Sequence, residues 1–271
     1  MGNMVWGAIY GDIIGSYYEV HCTKNYDFEL HMESTFTDDT VMTAAVCKAI
    51  TLNSRPVSYF RLNERALEYA AQYKRFYSNY PNAGYGQMFS EWADEYGFSR
   101  RRSYGNGGAM RAIPIGFAYD TLEQTLLQAK ASCMYTHNSR EAVTGAKAVA
   151  AAVWLSRRGK SKNEIKEYIE RNFHYDLSVP IAELRERFIF DSRAGYSVPP
   201  SIAAFLQSED YESAVRNAVS FGGDADTMAC IAGGIAEAFY GEIPKNIRDF
   251  CGLRLDGTIK RVINEFNDKF K

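Results

Sequence analysis

The chain of 271 residues is poor in the features that mark several common classes of protein. Its five cysteines, Cys22, Cys47, Cys133, Cys230 and Cys251, are odd in number, far apart and include no C-x-x-C pair. That argues against a disulfide framework and against a thiolate zinc site. No charge of one sign dominates: 31 Lys and Arg face 33 Asp and Glu, a formal net charge of -2. Such a balance gives no general attraction to nucleic acid or to anionic membranes. The longest uncharged apolar stretches, such as Ala148 to Leu155, are too short to span a bilayer. Asp12 and Glu19 stand where a secretory signal would be apolar, so a reducing cytoplasm is the expected location. Seven prolines and 21 glycines are too few for a low-complexity chain, and no repeat period is visible.

Strand signals are also scarce. The best is "RFIF" (187–190), and it is short. Helical signals fill the rest. "DDTVMTAAVCKAI" runs into Asn53-Ser54-Arg55-Pro56, a helix followed by a stop. "VSYFRLNERALEYAAQYKRFY" carries apolar residues at helical spacing. "TLEQ" at Thr121 and "SKNE" at Ser161 read as capping boxes. "EAVTGAKAVAAAVWLSRR" ends at Gly159, and two further helices meet at Gly222-Gly223. With about a dozen helices and no β-α alternation, the expected fold is all-α. A compact single-domain multi-helix bundle over 1–271 is predicted. Segments 19–37, 78–86, 99–108 and 190–200 are expected to be loops and candidates for function.

Acidic residues gather at predicted helix starts. "STFTDDTVMTAAV" places Thr37, Asp38 and Asp39 before a small, apolar helix. "SFGGDADTMACIAGG" places Asp224, Asp226 and Thr227 likewise. Either alone is an ordinary capped helix start. Together, four carboxylates would repel by several kcal/mol unless neutralised. Two divalent cations would balance them, and an all-oxygen set points to Mg2+ or Mn2+. "GAIYGDIIGSYYE" has Gly7, Gly11 and Gly15 four residues apart, a pattern for close helix contact. Glu19 falls where that helix should end. "SYGNGGAMRAIPIG" puts Gly105, Asn106, Gly107, Gly108, Ala109 and Met110 in a glycine-rich turn before a helix, a place for an anion. His137, at the start of "THNSREAV", is expected to stay neutral at a helix N-terminus.

The ordered motifs "GDIIGSYYE", "FTDDTVM", "YPNAGYG", "SYGNGGAMR", "THNSREAVTGA" and "SFGGDADT" resemble the ADP-ribosylglycohydrolase family, and its compact bacterial members most closely. The resemblance runs from Trp6 to Tyr240. It implies a helical fold that holds two Mg2+ or Mn2+ ions. It assigns metal binding to Thr37, Asp38, Asp39, Asp224, Asp226 and Thr227, and the catalytic glutamate to Glu19. It assigns distal ribose and phosphate binding to Gly105–Met110 and a substrate contact to His137. Two stretches depart from the family pattern: Ser139 stands where many relatives have a further histidine, and "DSRAGYSVPPSI" is a variant loop. Both bear on substrate choice. The implied partner is ADP-ribose or an ADP-ribosylated substrate, with nucleic acid only as such a substrate and a monomer favoured. The alternatives are a silent ADP-ribose-binding module on the same fold and a metal-dependent phosphohydrolase. The latter's D-x-D-x-T motif should follow a buried strand, and "YESAVRNAVSF" reads as helix.

Overall fold

Glycines at every fourth position of a helix leave a strip of bare backbone, and the fold is organised around one such strip. The computed structural model describes residues 4–270. Its helices are α1 (Trp6–Val20), α2 (Asp38–Leu52), α3 (Leu62–Asn79), α4 (Gln87–Asp94), α5 (Gly107–Met110), α6 (Ile113–Ala118), α7 (Leu122–Cys133) and α8 (Arg140–Arg157). They continue with α9 (Lys162–Phe173), α10 (Ile181–Arg187), α11 (Ala194–Leu206), α12 (Tyr211–Val219), α13 (Ala225–Tyr240), α14 (Lys245–Gly252) and α15 (Gly257–Phe270). No β-strand forms among the described residues, so the chain is all-α as predicted.

The Gly7, Gly11 and Gly15 strip lies against α13, antiparallel to it. A Cβ added at Gly7 would come within 2.5 Å of the Gly233 carbonyl oxygen, and one at Gly11 within 2.5 Å of the Ala229 carbonyl carbon. Helix α13 is therefore central. Every residue from Ala225 to Glu237 is buried, and α1, α2, α5, α6, α8, α11 and α12 all touch it. One hydrophobic cluster joins these helices to α3, α7 and α15. A helix this apolar all round belongs inside a domain rather than on its surface.

Local start and stop signals mostly act as read. Thr37 caps α2 by accepting from Asp39 N, and Ser161 with Glu164 forms a full capping box. Thr121 accepts from Gln124 N at 3.3 Å, but the return arm of the expected box is absent. The Gln124 side chain instead bonds both the N–H and the carbonyl of Val57 and pins the chain before α3. Gly159 takes φ +73° just past α8.

Two expectations fail. The "RFIF" stretch is not a strand: Arg187 ends α10 and residues 188–190 are irregular. Phe188 packs against Phe221 while Ile189 stays 82% exposed, so the stretch has no neighbouring strand to join. The 190–200 loop is helical from Ala194 onward, with Pro199 and Pro200 inside α11. Burial of Ala194, Val198 and Ile202 against α8 and α13 overrides the proline signal. No described helix is long and apolar enough to cross a membrane.

Candidate metal centre and active-site cavity

The glycine strip brings the C-terminal end of α1 to the N-terminal ends of α2 and α13. Asp12, fully buried on α1, accepts from Thr37 N (3.0 Å), Thr37 Oγ1 (2.8 Å), Thr40 N (3.1 Å) and Thr40 Oγ1. This carboxylate ties α1 to the start of α2. Burial lifts its pKa to about 6 against the lowering effect of those bonds. Thr227 Oγ1 on α13 donates to Asp39 Oδ2 at 3.0 Å, which joins α13 to α2. Asn106 Nδ2 donates to Asp224 Oδ2 at 2.8 Å and to Ser197 Oγ at 3.1 Å.

Five carboxyl groups meet at this junction. Glu19, Asp224 and Asp226 offer oxygens that all lie within 4.8 Å of one another. So close a set of carboxyls repels strongly when all are ionised. The electrostatics agree. Burial, then Asp12 and Asp224, pushes Asp38 up to about 8. Burial, then Glu19, pushes Asp226 to about 8. Asp39 and Asp224 are held well above the carboxylate range, by burial first and Asp226 second. Glu19 is raised by burial, then by Asp224, although it stands at the solvent edge. Asp39 Oδ1 is buried without a partner among the described residues. A crowd of oxygen donors whose charges burial and mutual repulsion disfavour, with one buried oxygen left over, fits hard divalent cations.

These acids form one side of a cavity of about 360 Å³, within the range of small-molecule sites. Its lining includes Glu19, Asp38, Asp39, Asp224, Asp226 and Thr227. The lining also includes Gly105, Asn106, Gly107, Met110, Arg111 and His137. Chain 101–107 is held there by short hydrogen bonds to its neighbours. Arg101 N bonds Tyr135 O at 2.9 Å, Asn106 N bonds Ser192 O at 2.9 Å, and Ala194 N bonds Tyr104 O at 2.9 Å.

Several predicted residues take a different post from the one expected. Gly108 and Ala109 do not line the cavity. A Cβ at Gly108 would sit 2.8 Å from Cys133 Sγ, and Ala109 is fully buried, because the second half of the turn faces the core. Thr37 donates its hydroxyl proton to Asp12, which leaves a lone pair of its oxygen for a cation as expected of a ligand. Asn106 has its amide engaged by Asp224 and Ser197 and braces an acid rather than standing free. His137 is depressed well below its ordinary pKa, but by burial and then by the charge of Arg111.

Two residues escaped the sequence reading. Asp12 was visible in "GDIIG", yet nothing in the sequence gave it partners. Arg111 closes "SYGNGGAMR". It is fully buried, donates from Nη2 to Ser132 O (3.2 Å) and Thr136 Oγ1 (2.6 Å), and lies 4.1 Å over the Tyr73 ring. A lone arginine has no sequence signature that separates burial from exposure.

The chain is similar to known proteins. The sequence profile of the ADP-ribosylglycohydrolase family matches residues 2–270. ADP-ribosylhydrolase ARH3 of Homo sapiens is 28% identical to the chain, across 90% of it and 87% of that protein. ARH3 of Xenopus tropicalis is 27% identical, across 89% and 87%. In fold, the chain is similar to a solved ADP-ribosylglycohydrolase-related protein complex, with a TM-score of 0.72 at 21% identity over 99% of this chain and 98% of that one. A profile match across almost every residue, on a helical fold whose acids converge on one cavity, means that the chain belongs to the ADP-ribosylglycohydrolase family, hydrolases of glycosidic bonds to ADP-ribose.

Proposed function

We propose that the protein hydrolyses the bond between the distal ribose of ADP-ribose and an acceptor, a protein side chain or a small molecule. In this reading two Mg2+ or Mn2+ ions are held by Thr37, Asp38, Asp39, Asp224, Asp226 and Thr227, and Glu19 is the acid/base. The observation that carries it is the junction of α1, α2 and α13. Five carboxyls line a cavity that a buried arginine and a histidine held below its ordinary pKa line as well.

Bound divalent ions would neutralise the acids, hold the vicinal ribose hydroxyls and supply Lewis-acid help. The chain's own residues do the rest. Asp12 fixes the Thr37 turn, Asn106 and Thr227 orient Asp224 and Asp39, and the glycine turn at Gly105–Gly107 brings backbone close to the diphosphate. Glycoside cleavage passes through an oxocarbenium-like transition state. The raised pKa of Glu19 suits a group that gives a proton to the leaving acceptor or takes one from water.

One observation favours a second role for Glu19. Its carboxyl lies within ligand distance of Asp224 and Asp226, so it can serve as a metal ligand. The phosphohydrolase reading loses support, because the segment before Asp224 is helix α12 rather than a strand. The test is release of ADP-ribose from a panel of arginine-, serine- and phosphate-linked substrates with Mg2+, repeated with a chelator. Release that stops with chelator is the expected result. Binding of ADP-ribose with no release from any substrate would leave the silent binding module. Release unaffected by chelator would remove the metal from the reading.

A further inference from the structure

His137 meets the cavity edge-on behind the glycine turn, and what stands behind the ring decides which face of its chemistry the cavity sees. Thr136 Oγ1 lies 2.6 Å from Arg111 Nη2 and 2.9 Å from His137 Nδ1. Arg111 Nη2 itself approaches Nδ1 at 3.5 Å. An arginine can only donate. It occupies one lone pair of the Thr136 oxygen, and the Thr136 proton is free to point at Nδ1. Arg111 can face Nδ1 only as a donor, so an unprotonated Nδ1 is the form that satisfies both neighbours. A proton there would oppose both of them, and the buried guanidinium adds like-charge repulsion.

The ring proton therefore sits on Nε2, and Nε2 faces the glycines. A Cβ at Gly107 would lie 2.8 Å from Nε2, and one at Gly105 would lie 3.7 Å from it. Both glycines line the cavity. Without side chains they leave the Nε2–H uncovered. We propose that Arg111 is a positioning residue. Through Thr136 it locks His137 as a neutral imidazole with Nε2–H, and the missing side chains of Gly105 and Gly107 open that donor to an oxygen acceptor of the bound ligand.

This explains the burial of Arg111 as a cation. It lies on Tyr73, bonds Ser132 O and Thr136, and has no carboxylate hydrogen-bond partner among the described residues. Its Nε and Nη1 are buried without partners among the described residues. A charge placed there at such cost does something that a neutral side chain of the same shape would not. Tyr73 and Cys133, the other titratable groups at this corner, are themselves pushed up by burial and stay neutral. Only Arg111 acts on the ring as a charge.

The inference rests on the proposed function only for the identity of the ligand; the tautomer stands without it. The experiment is ring-nitrogen NMR of His137 in the full chain. In the wild type, Nδ1 is expected to show the shift of an unprotonated nitrogen and Nε2 that of a protonated one, unchanged from about pH 5 to about pH 8. Arg111→Gln and, as a gentler change, Thr136→Val should bring in the Nδ1–H tautomer, and Arg111→Gln should raise the ring's pKa while burial still holds it below the ordinary value of about 6.5. Gly107→Ala should keep the Nε2–H tautomer and weaken ADP-ribose binding by roughly tenfold, by covering the donor.

A wild-type ring that carries its proton on Nδ1, or titrates near 6.5, overturns the proposal. So does a lower melting temperature in both variants with the tautomer unchanged, which would make Arg111 a structural cation only. Unaltered ADP-ribose binding in Gly107→Ala would overturn the opened-donor part. If ADP-ribose does not bind the wild type at all, the functional reading fails while the NMR outcome still decides the tautomer.

Discussion

A Cβ added to Gly15 would lie 2.6 Å from the Cα of Asp226. The backbone of α1 and that of a candidate metal ligand are thus in direct contact, with nothing between them to yield. Helix propensity alone favours Gly15→Ala by about 1 kcal/mol. The contact reverses the sign: forcing α1 and α13 apart should cost about 1–3 kcal/mol. Gly252, on α14 with open space around it, is the control, and Gly252→Ala should be neutral or stabilising. Melting temperatures of the two variants decide the point. Gly15→Ala should also lose metal-induced stabilisation, since it moves Glu19 and Asp226 relative to each other.

Asn106 lines the cavity, but its amide is spent on Asp224 and Ser197. If it braces an acid, Asn106→Ala should weaken Mg2+ or Mn2+ binding by about 10–100-fold, the usual cost of losing an outer partner of a ligand. Turnover at saturating metal should largely return. A substrate-binding residue would behave differently, raising KM for substrate while leaving metal affinity alone. Calorimetric titration of the metal, beside kinetics at two metal concentrations, separates the cases.

Glu19→Gln keeps the shape of the side chain and removes its proton chemistry. With Glu19 as acid/base, turnover should fall by roughly 10²–10⁴ while ADP-ribose binding stays within a few-fold. Metal content should be retained. If the variant loses an ion instead, the closeness of Glu19 to Asp224 and Asp226 reflects ligation. Hydrolysis at the wild-type rate would make Glu19 a bystander.

The far end of the same helix pair makes a pH prediction. Glu237 on α13 is buried, accepts from Gly7 N at 2.9 Å, and is pushed up to about 8 by burial. A raised carboxyl pKa means that the folded state holds a proton the unfolded state has released. The stabilisation is complete below the unfolded value of about 4.3 and is lost as pH rises towards 8. Wild-type melting temperature should therefore decline across this window more steeply than that of Glu237→Gln, which keeps an acceptor for Gly7 N without a titrating group. Parallel curves for the two proteins would contradict the assignment.

Much of this architecture was legible because backbone geometry leaves marks in sequence. The spacing of Gly7, Gly11 and Gly15 announced a close helix contact, and α13 is what it touches. The hydroxyl-plus-acid pattern at Thr37–Asp39 and Asp224–Thr227 announced helix starts. Illegible features depended on partners distant in sequence. Asp12 is an ordinary acid until Thr37 and Thr40 are placed around it. Pro199 and Pro200 spoke for a loop, and only packing on α8 and α13 shows why α11 continues through them. Gly108 looked like its neighbours in the glycine turn, but a turn has an inside, and Gly108 faces Cys133 there.

The seam between α1 and α13 also limits how the enzyme can change. It is made of main chain, so no side chain there can be exchanged to adjust it. A slip of one residue along the seam would move Glu19 by about 1.5 Å against Asp226. The parts of the cavity wall contributed by 84–92 and 190–192 carry no such restriction, since they are loops or a short helix beyond the seam. Acceptor preference can drift through those segments while the acids remain in register, as a lathe keeps its centre while the tool is changed.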